Sequence, residues 1–205
     1  MVGKILGCLI AVSIISTFGI SQRPSQSNPS PLAAPTQVIN DDEYRIYEVL
    51  YDRWFGKDKL KMLVIDPDLK TCSKVTFYAD PQYSKVPETK TDEIESNCKT
   101  IPQATLTKEK FRVDQKIVFV TREEQEKYFP DGIDCEVGWK NYFKKYPSSN
   151  GYMSVSRAGF DSDRHFAAVY FSYIRACLDG EGQRVFLENE GGRWKIIYNV
   201  MTWAN

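Results

Sequence analysis

The chain has one histidine, His165, which lies just after two aspartates in the segment Asp161-Ser162-Asp163-Arg164-His165. An imidazole beside carboxylates can transfer protons or bind a metal, because its ordinary pKa lies close to neutral pH. The same segment is typical of a hairpin turn, in which aspartate side chains accept hydrogen bonds from the backbone that follows them. We interpret the segment as a turn, predict no metal site, and keep Asp161 and His165 as candidate ligand-binding residues.

Arg157 is the third candidate ligand-binding residue. Its guanidinium carries a planar fork of donors, and this fork matches the two oxygens of a ligand carboxylate. Two acidic residues follow within a few positions and offer an internal partner instead. Of these two interpretations we favour a structural ion pair between Arg157 and Asp161 or Asp163.

The motifs of several enzyme classes are missing from the sequence. No Gly-x-Ser-x-Gly elbow surrounds Ser154 or Ser156, and both serines fall within a predicted strand. The glycine patterns that hold the phosphates of nucleotides and dinucleotides are absent too, so no cofactor is predicted. Spacing alone does not show whether two carboxylates face each other for glycoside hydrolysis, although Asp161 and Glu181 are the pair to compare. We therefore predict no catalytic residue.

Four cysteines follow the amino-terminal segment, and no two of them are close enough in sequence to form a Cys-x-x-Cys zinc knuckle. An even number of cysteines in an exported chain is typical of disulfide bonds, and three connectivities are possible. The polar segment from Tyr78 to Pro102 is predicted to be a long irregular loop, which a disulfide would restrain. We favour the connectivity that closes local loops first, Cys72–Cys98 with Cys135–Cys177.

The amino terminus has the organisation of a secretory signal peptide over residues 1–21. Lys4 precedes an apolar stretch from Ile5 to Ile15, and small polar residues follow it. This stretch is shorter than the roughly 20 residues that a membrane-spanning helix needs. A retained anchor helix is the alternative, because no Ala-x-Ala cleavage site is present. Residues 22–39 are predicted to be a disordered tether, and residues 40–205 a single domain.

The pattern of apolar residues predicts helices early in the domain and strands late in it. A capping pattern and helical spacing predict a helix from Asp41 to Phe55, and further helices are predicted after Thr121 and before Pro147. Four β-rich runs separated by Gly and Asp turns close the chain, at residues 152–156, 166–174, 183–188 and 194–203. The predicted fold class is α+β, with helices of the N-terminal part packed on a C-terminal antiparallel four-stranded meander.

Two motifs in the last third of the chain, Ser156-Arg157-Ala158-Gly159-Phe160 and Gly192-Arg193-Trp194-Lys195-Ile196, carry a family resemblance. They are similar to the Ser-Arg-Val-Gly-Phe and Gly-x-Trp-Lys-Ile patterns of a family of uncharacterised exported bacterial proteins. That resemblance implies export and a single domain, and it brings no activity. The closing strands also resemble those of nuclear-transport-factor-2-like cone folds, which implies a pocket between the helices and a curved sheet.

Charge and motifs together limit the class of function. The 27 basic side chains equal the 27 acidic ones and are interleaved with them, so no nucleic-acid partner is predicted. The leading hypothesis is a noncatalytic periplasmic or secreted domain that binds an unknown protein or small ligand, with no stable membrane span after signal cleavage. The first alternative is a small hydrolase-like enzyme that uses carboxylates and His165. The second alternative is a structural cell-envelope protein.

Overall fold

The computed structural model describes residues 38–56, 60–72 and 85–205. The predicted signal peptide and nearly all of the predicted tether lie outside the described residues. Within those three ranges, no helix has both the length and the apolar character that crossing a membrane requires.

The described residues form four α-helices, one short 3₁₀ helix and nine strands. The helices are α1 (Asp41–Phe55), α2 (Glu88–Thr100), α3 (Arg122–Glu126) and α4 (Cys135–Lys145), with the 3₁₀ helix at Lys108–Lys110. The strands are β1 (Met62–Ile65), β2 (Asp68–Leu69), β3 (Ala104–Thr105), β4 (Lys116–Phe119), β5 (Tyr152–Val155), β6 (Gly159–Phe160), β7 (Phe166–Ala176), β8 (Asp179–Glu190) and β9 (Arg193–Ala204).

Seven of these strands form one sheet in the order β4-β1-β5-β7-β8-β9, with β6 paired to β7. β1 is parallel to both β4 and β5, whereas β5, β7, β8 and β9 pair in antiparallel orientation. The α+β class is therefore confirmed. The sheet is larger than the predicted four-stranded meander because the short strands β1, β4 and β6 join it. The sequence has no local feature that predicts the parallel pairing of β1 with β4 and β5.

Alternate residues of the strands face two different layers of helices. Leu63 and Ile65 of β1 belong to the core that packs under α1, while Val64 belongs to the core around α4. In β7, Val169 lies in the α1 core, whereas Ala168 packs with the buried residues of α2. The sheet therefore separates α1 on one face from α2 and α4 on the other.

Helix α1 has the bounds that the sequence predicts. The Asn40 side chain accepts a hydrogen bond from the Glu43 backbone N–H at 2.9 Å and so begins the helix. Glu43 does not return a hydrogen bond to Asn40, as a complete capping box would require, because its carboxylate turns into the interior of the protein. The start of α1 therefore places a charged side chain in the core.

Helix α2 contradicts the prediction of an irregular loop from Tyr78 to Pro102. Residues 88–100 of that segment are helical, and residues 78–84 lie outside the described residues. The helix buries Thr91, Ile94 and Cys98, which follow one another at intervals of three and four. The prediction was wrong because only one of these residues is a large apolar side chain, so the helical period is hidden in a polar segment.

Both predicted disulfide bonds are confirmed. Cys72, which follows β2, bonds to Cys98 of α2, and Cys135 of α4 bonds to Cys177 between β7 and β8. Each bond joins a helix to a segment that lies beside the large sheet. The bonds therefore link the helical layer to the strands covalently.

Candidate functional site

Arg157 lies in the interior and forms an ion pair with Glu43 of α1. Its Nε and Nη2 donate to the two carboxylate oxygens, each at 2.8 Å, and Nη1 donates to the Pro102 carbonyl at 2.9 Å. Only 4% of the Arg157 side chain and 1% of the Glu43 side chain are exposed. The predicted structural pairing of Arg157 is present, but the predicted partners were wrong, because Glu43 is far away in sequence.

Asp161 contacts the backbone of His165 and not its imidazole ring. The buried Asp161 Oδ1 accepts from the backbone N–H groups of His165 and Phe166, each at 2.8 Å, and Oδ2 lies 3.3 Å from Lys90 Nζ. The half-exposed imidazole instead places Nε2 3.1 Å from Glu188 Oε1. The structure thus contains the predicted turn, and the two cavities described below are lined by neither residue.

The other carboxylate that the sequence singled out, Glu181, lies in β8. Its Oε1 accepts a hydrogen bond from Trp54 Nε1 of α1 at 3.0 Å. Asp161 has its contacts with Lys90 and with its own turn, so the two carboxylates have different surroundings. The sequence-derived pair Asp161 and Glu181 is therefore not a shared site.

A cleft of about 1190 Å³ lies between α1, the loop Arg112–Gln115 and β9. Part of its lining is apolar, since Val49 of α1 and Ile196 of β9 lie there, partly buried against the main core. The cleft therefore combines open access with a surface on which an apolar group can pack.

Two residues that line this cleft each carry a buried hydrogen-bond donor without a partner among the described residues. Tyr51 is 2% exposed and Trp194 is 5% exposed, yet neither Tyr51 Oη nor Trp194 Nε1 makes a hydrogen bond. Burial raises the pKa of Tyr51 far above its ordinary value, so its hydroxyl keeps its proton. An unpaired buried donor costs about 1–3 kcal/mol, which an acceptor bound in the cleft would recover.

The side chains that line the cleft include five basic and three acidic residues, and two of the basic ones, Arg45 and Lys195, pair with Asp42 and Glu190 outside the lining. An anion entering the cleft would be attracted by this excess, because opposite charges near a low-dielectric wall are weakly screened. The basic residues are Arg45, Arg53, Arg112, Arg193 and Lys195, and the acidic ones are Glu48, Asp52 and Asp114.

The smaller cavity, of about 370 Å³, lies where the parallel strands end. Asp66 follows β1 directly, Arg122 follows β4 closely, and Ser154 lies near the end of β5. Because the carboxyl ends of adjacent parallel strands meet at one edge of a sheet, these side chains come together. The sequence did not predict this cavity, because it has no local feature that places β1 parallel to β4 and β5.

The polar groups at the base of the smaller cavity are buried. Asp66 is 3% exposed, and its Oδ1 accepts from the Asp68 backbone N–H at 3.1 Å. Burial is the main cause that raises the pKa of this carboxyl above its ordinary value. The Tyr152 hydroxyl is buried beside Asp66, and burial together with this neighbouring carboxyl raises the pKa of Tyr152 above its ordinary value.

The Asp66 carboxyl should make the stability of the protein depend on pH. Because its folded-state pKa is raised above 3.8, its contribution to stability is complete below that pH and is lost as the pH rises through the folded-state pKa. We expect Asp66→Asn to remove this loss. The melting temperature of the variant, relative to that of the wild type, should therefore rise as the pH goes from acidic to neutral. Thermal unfolding followed by circular dichroism between acidic and neutral pH measures the difference. Two parallel curves would contradict the expectation.

Comparison with known proteins yields no assignment: no family model, no curated protein and no solved structure matches the chain. The resemblances to exported bacterial proteins and to cone folds therefore stay predictions.

Proposed function

We propose that this protein is an exported, noncatalytic binding domain whose cleft takes an amphipathic organic anion, such as a long-chain carboxylate. The observation that carries the proposal is that two residues lining one cleft, Tyr51 and Trp194, each carry a buried donor with no hydrogen-bond partner among the described residues. Buried donors are almost always satisfied in proteins, so an acceptor from outside the chain is the simplest partner.

The composition of the cleft supports the same ligand class. A hydrocarbon chain can pack on Val49 and Ile196, which are only partly covered by the protein. A carboxylate accepts hydrogen bonds without donating any, which suits a hydroxyl and an indole N–H that need acceptors. The excess of basic side chains around the cleft favours an anionic head over a neutral one.

Export is proposed from the signal-like leader together with the disulfide bonds. The Cys72–Cys98 and Cys135–Cys177 bonds are compatible with an oxidising, extracytoplasmic compartment. Both bonds join elements of the folded domain, so the domain benefits from maturing where thiols are oxidised.

A binding role is favoured over the hydrolase alternative by the surroundings of His165. A hydrolase would use this imidazole as a base beside a nucleophile, whereas its polar contact is the Glu188 carboxylate on β8. Ser154, one of the two serines considered for such a role, pairs instead with the Ser172 hydroxyl at 2.8 Å. These contacts hold the two side chains in separate hydrogen-bonded groups.

Binding of dodecanoate to the protein, purified from an oxidising compartment, tests the proposal by isothermal titration calorimetry. We expect saturable binding that Tyr51→Phe weakens about tenfold, because the variant loses one hydrogen bond to a charged acceptor. Tyr152→Phe is the matched control, since it removes a buried tyrosine hydroxyl from the smaller cavity and should leave dodecanoate binding unchanged. Absence of binding, or equal affinity of the wild type and Tyr51→Phe, would contradict the proposal.

A further inference from the structure

We propose that the smaller cavity is a second binding site and that its ligand is a neutral carbohydrate. The proposal does not depend on the cleft, because different side chains form the two cavities. No residue lines both cavities, so a variant in one cavity leaves the lining of the other unchanged.

The charges of this cavity indicate a neutral ligand. Lys70 and Arg122 bring two positive charges, and Asp66 and Glu126 bring two negative ones. Arg122 and Glu126 already neutralise each other, with Nε donating to Oε1 at 2.7 Å. A ligand with a net charge would find no excess of the opposite sign here, in contrast to the cleft.

The hydrogen-bonding groups of the cavity indicate a ligand with several hydroxyls. Asp66 offers carboxylate oxygens as acceptors, and the buried Tyr152 hydroxyl lies beside this carboxyl, so the two form a polar base for the cavity. Ser154 and Ser172 add hydroxyls, 2.8 Å apart, that can both donate and accept. Neighbouring hydroxyls of a sugar ring also donate and accept, so they match this mixture better than a carboxylate or an ammonium group does.

An aromatic pair completes the wall of the cavity. Trp203 Nε1 of β9 donates to Tyr170 Oη of β7 at 2.5 Å, across the intervening strand β8. Gly182 of β8 makes this possible, because a Cβ at that position would overlap both the Trp203 and the Tyr170 side chains. Aromatic rings fixed in this way provide an apolar surface for the C–H face of a pyranose, while their polar ends stay hydrogen-bonded.

A nuclear magnetic resonance titration with methyl β-glucoside and with the methyl glycoside of N-acetylglucosamine tests the site. We expect at least one of the two glycosides to shift the Trp203 indole N–H resonance saturably in the millimolar range. Tyr152→Phe and Asp66→Asn should each weaken this binding about tenfold, because the first removes a hydroxyl and the second replaces one carboxylate acceptor with an amide N–H donor. Tyr51→Phe, in the cleft, is the control that should leave glycoside binding unchanged.

Three results would overturn the proposal. The first is that neither glycoside shifts the Trp203 resonance, and the second is that Tyr152→Phe binds as tightly as the wild type. The third is that methylammonium or acetate, added as charged probes, shifts Trp203 where the glycosides do not. If Asp66→Asn fails to fold, Tyr152→Phe and Ser154→Ala give the same test, since each removes only a hydroxyl. None of these results bears on dodecanoate binding in the cleft, so the two proposals fail separately.

Discussion

Glu43→Ala is expected to lower the free energy of unfolding by about 3–5 kcal/mol, because it leaves the Arg157 guanidinium buried without its partner charge. The carboxylate accepts two hydrogen bonds from Arg157, and it also accepts from the Ala158 backbone N–H at 3.1 Å. Urea unfolding followed by tryptophan fluorescence measures the change. All of these contacts join the first turn of α1 to the segment after β5. A loss of stability would therefore show that the Glu43 carboxylate stabilises the packing of α1 on that segment.

Glu126→Ala is the matched control for Glu43→Ala. It breaks an exposed pair with Arg122 that has a similar contact distance, and exposed pairs contribute only about 0–1 kcal/mol. A double variant, Glu43→Leu with Arg157→Met, should recover most of the loss, because it removes both charges and keeps an apolar volume. If Glu43→Ala lowers the free energy of unfolding no more than Glu126→Ala does, the structural role assigned to Arg157 is contradicted.

Removing the second disulfide by Cys135→Ser with Cys177→Ser is expected to lower the free energy of unfolding by about 4 kcal/mol. The bond closes a loop of 42 residues, and chain entropy gives a stabilisation of about this size for a loop of that length. Urea unfolding of the wild type and the variant under oxidising conditions measures the difference.

The shorter loop provides a comparison for this disulfide. Cys72→Ser with Cys98→Ser opens a loop of 26 residues. The expected loss of unfolding free energy is therefore slightly smaller than the loss for the Cys135–Cys177 bond. Reducing agent should destabilise the wild type and should have no further effect on a variant that lacks both bonds. An unfolding free energy unchanged by Cys135→Ser with Cys177→Ser would show that the bond does not constrain the unfolded chain.

Local patterns in the sequence were sufficient to predict the parts of the fold that depend on local contacts. The capping residue and apolar spacing of α1 lie within one segment, and so do the Thr121 and Glu124 side chains that begin α3 with reciprocal hydrogen bonds. The four C-terminal β-rich runs also have turn residues between them. Helix α2 was missed because its buried face consists of Thr91, Ile94 and Cys98, which give little hydrophobic period.

The candidate sites were harder to predict, because they depend on contacts between distant segments. Arg157 was correctly expected to form an ion pair, but Glu43 becomes its partner only when α1 packs beside β5. Asp66 enters a cavity only because β1 is parallel to β4 and β5, and no local feature predicts that pairing. In the sequence, Tyr51 and Trp194 cannot be distinguished from ordinary core residues. Only the structure shows that their buried polar atoms have no partner among the described residues.

The central claim, that the cleft binds an amphipathic anion at its unpaired donors, is tested most directly by the four tryptophan indole N–H resonances. Trp194 lines the cleft, Trp203 lines the smaller cavity, and Trp139 packs in the core around α4. Titration with dodecanoate should shift the Trp194 resonance saturably and leave the Trp139 and Trp203 resonances nearly unchanged. A Trp194 resonance that does not move while calorimetry shows dodecanoate bound would contradict the claim, and so would the absence of any shift at saturating ligand.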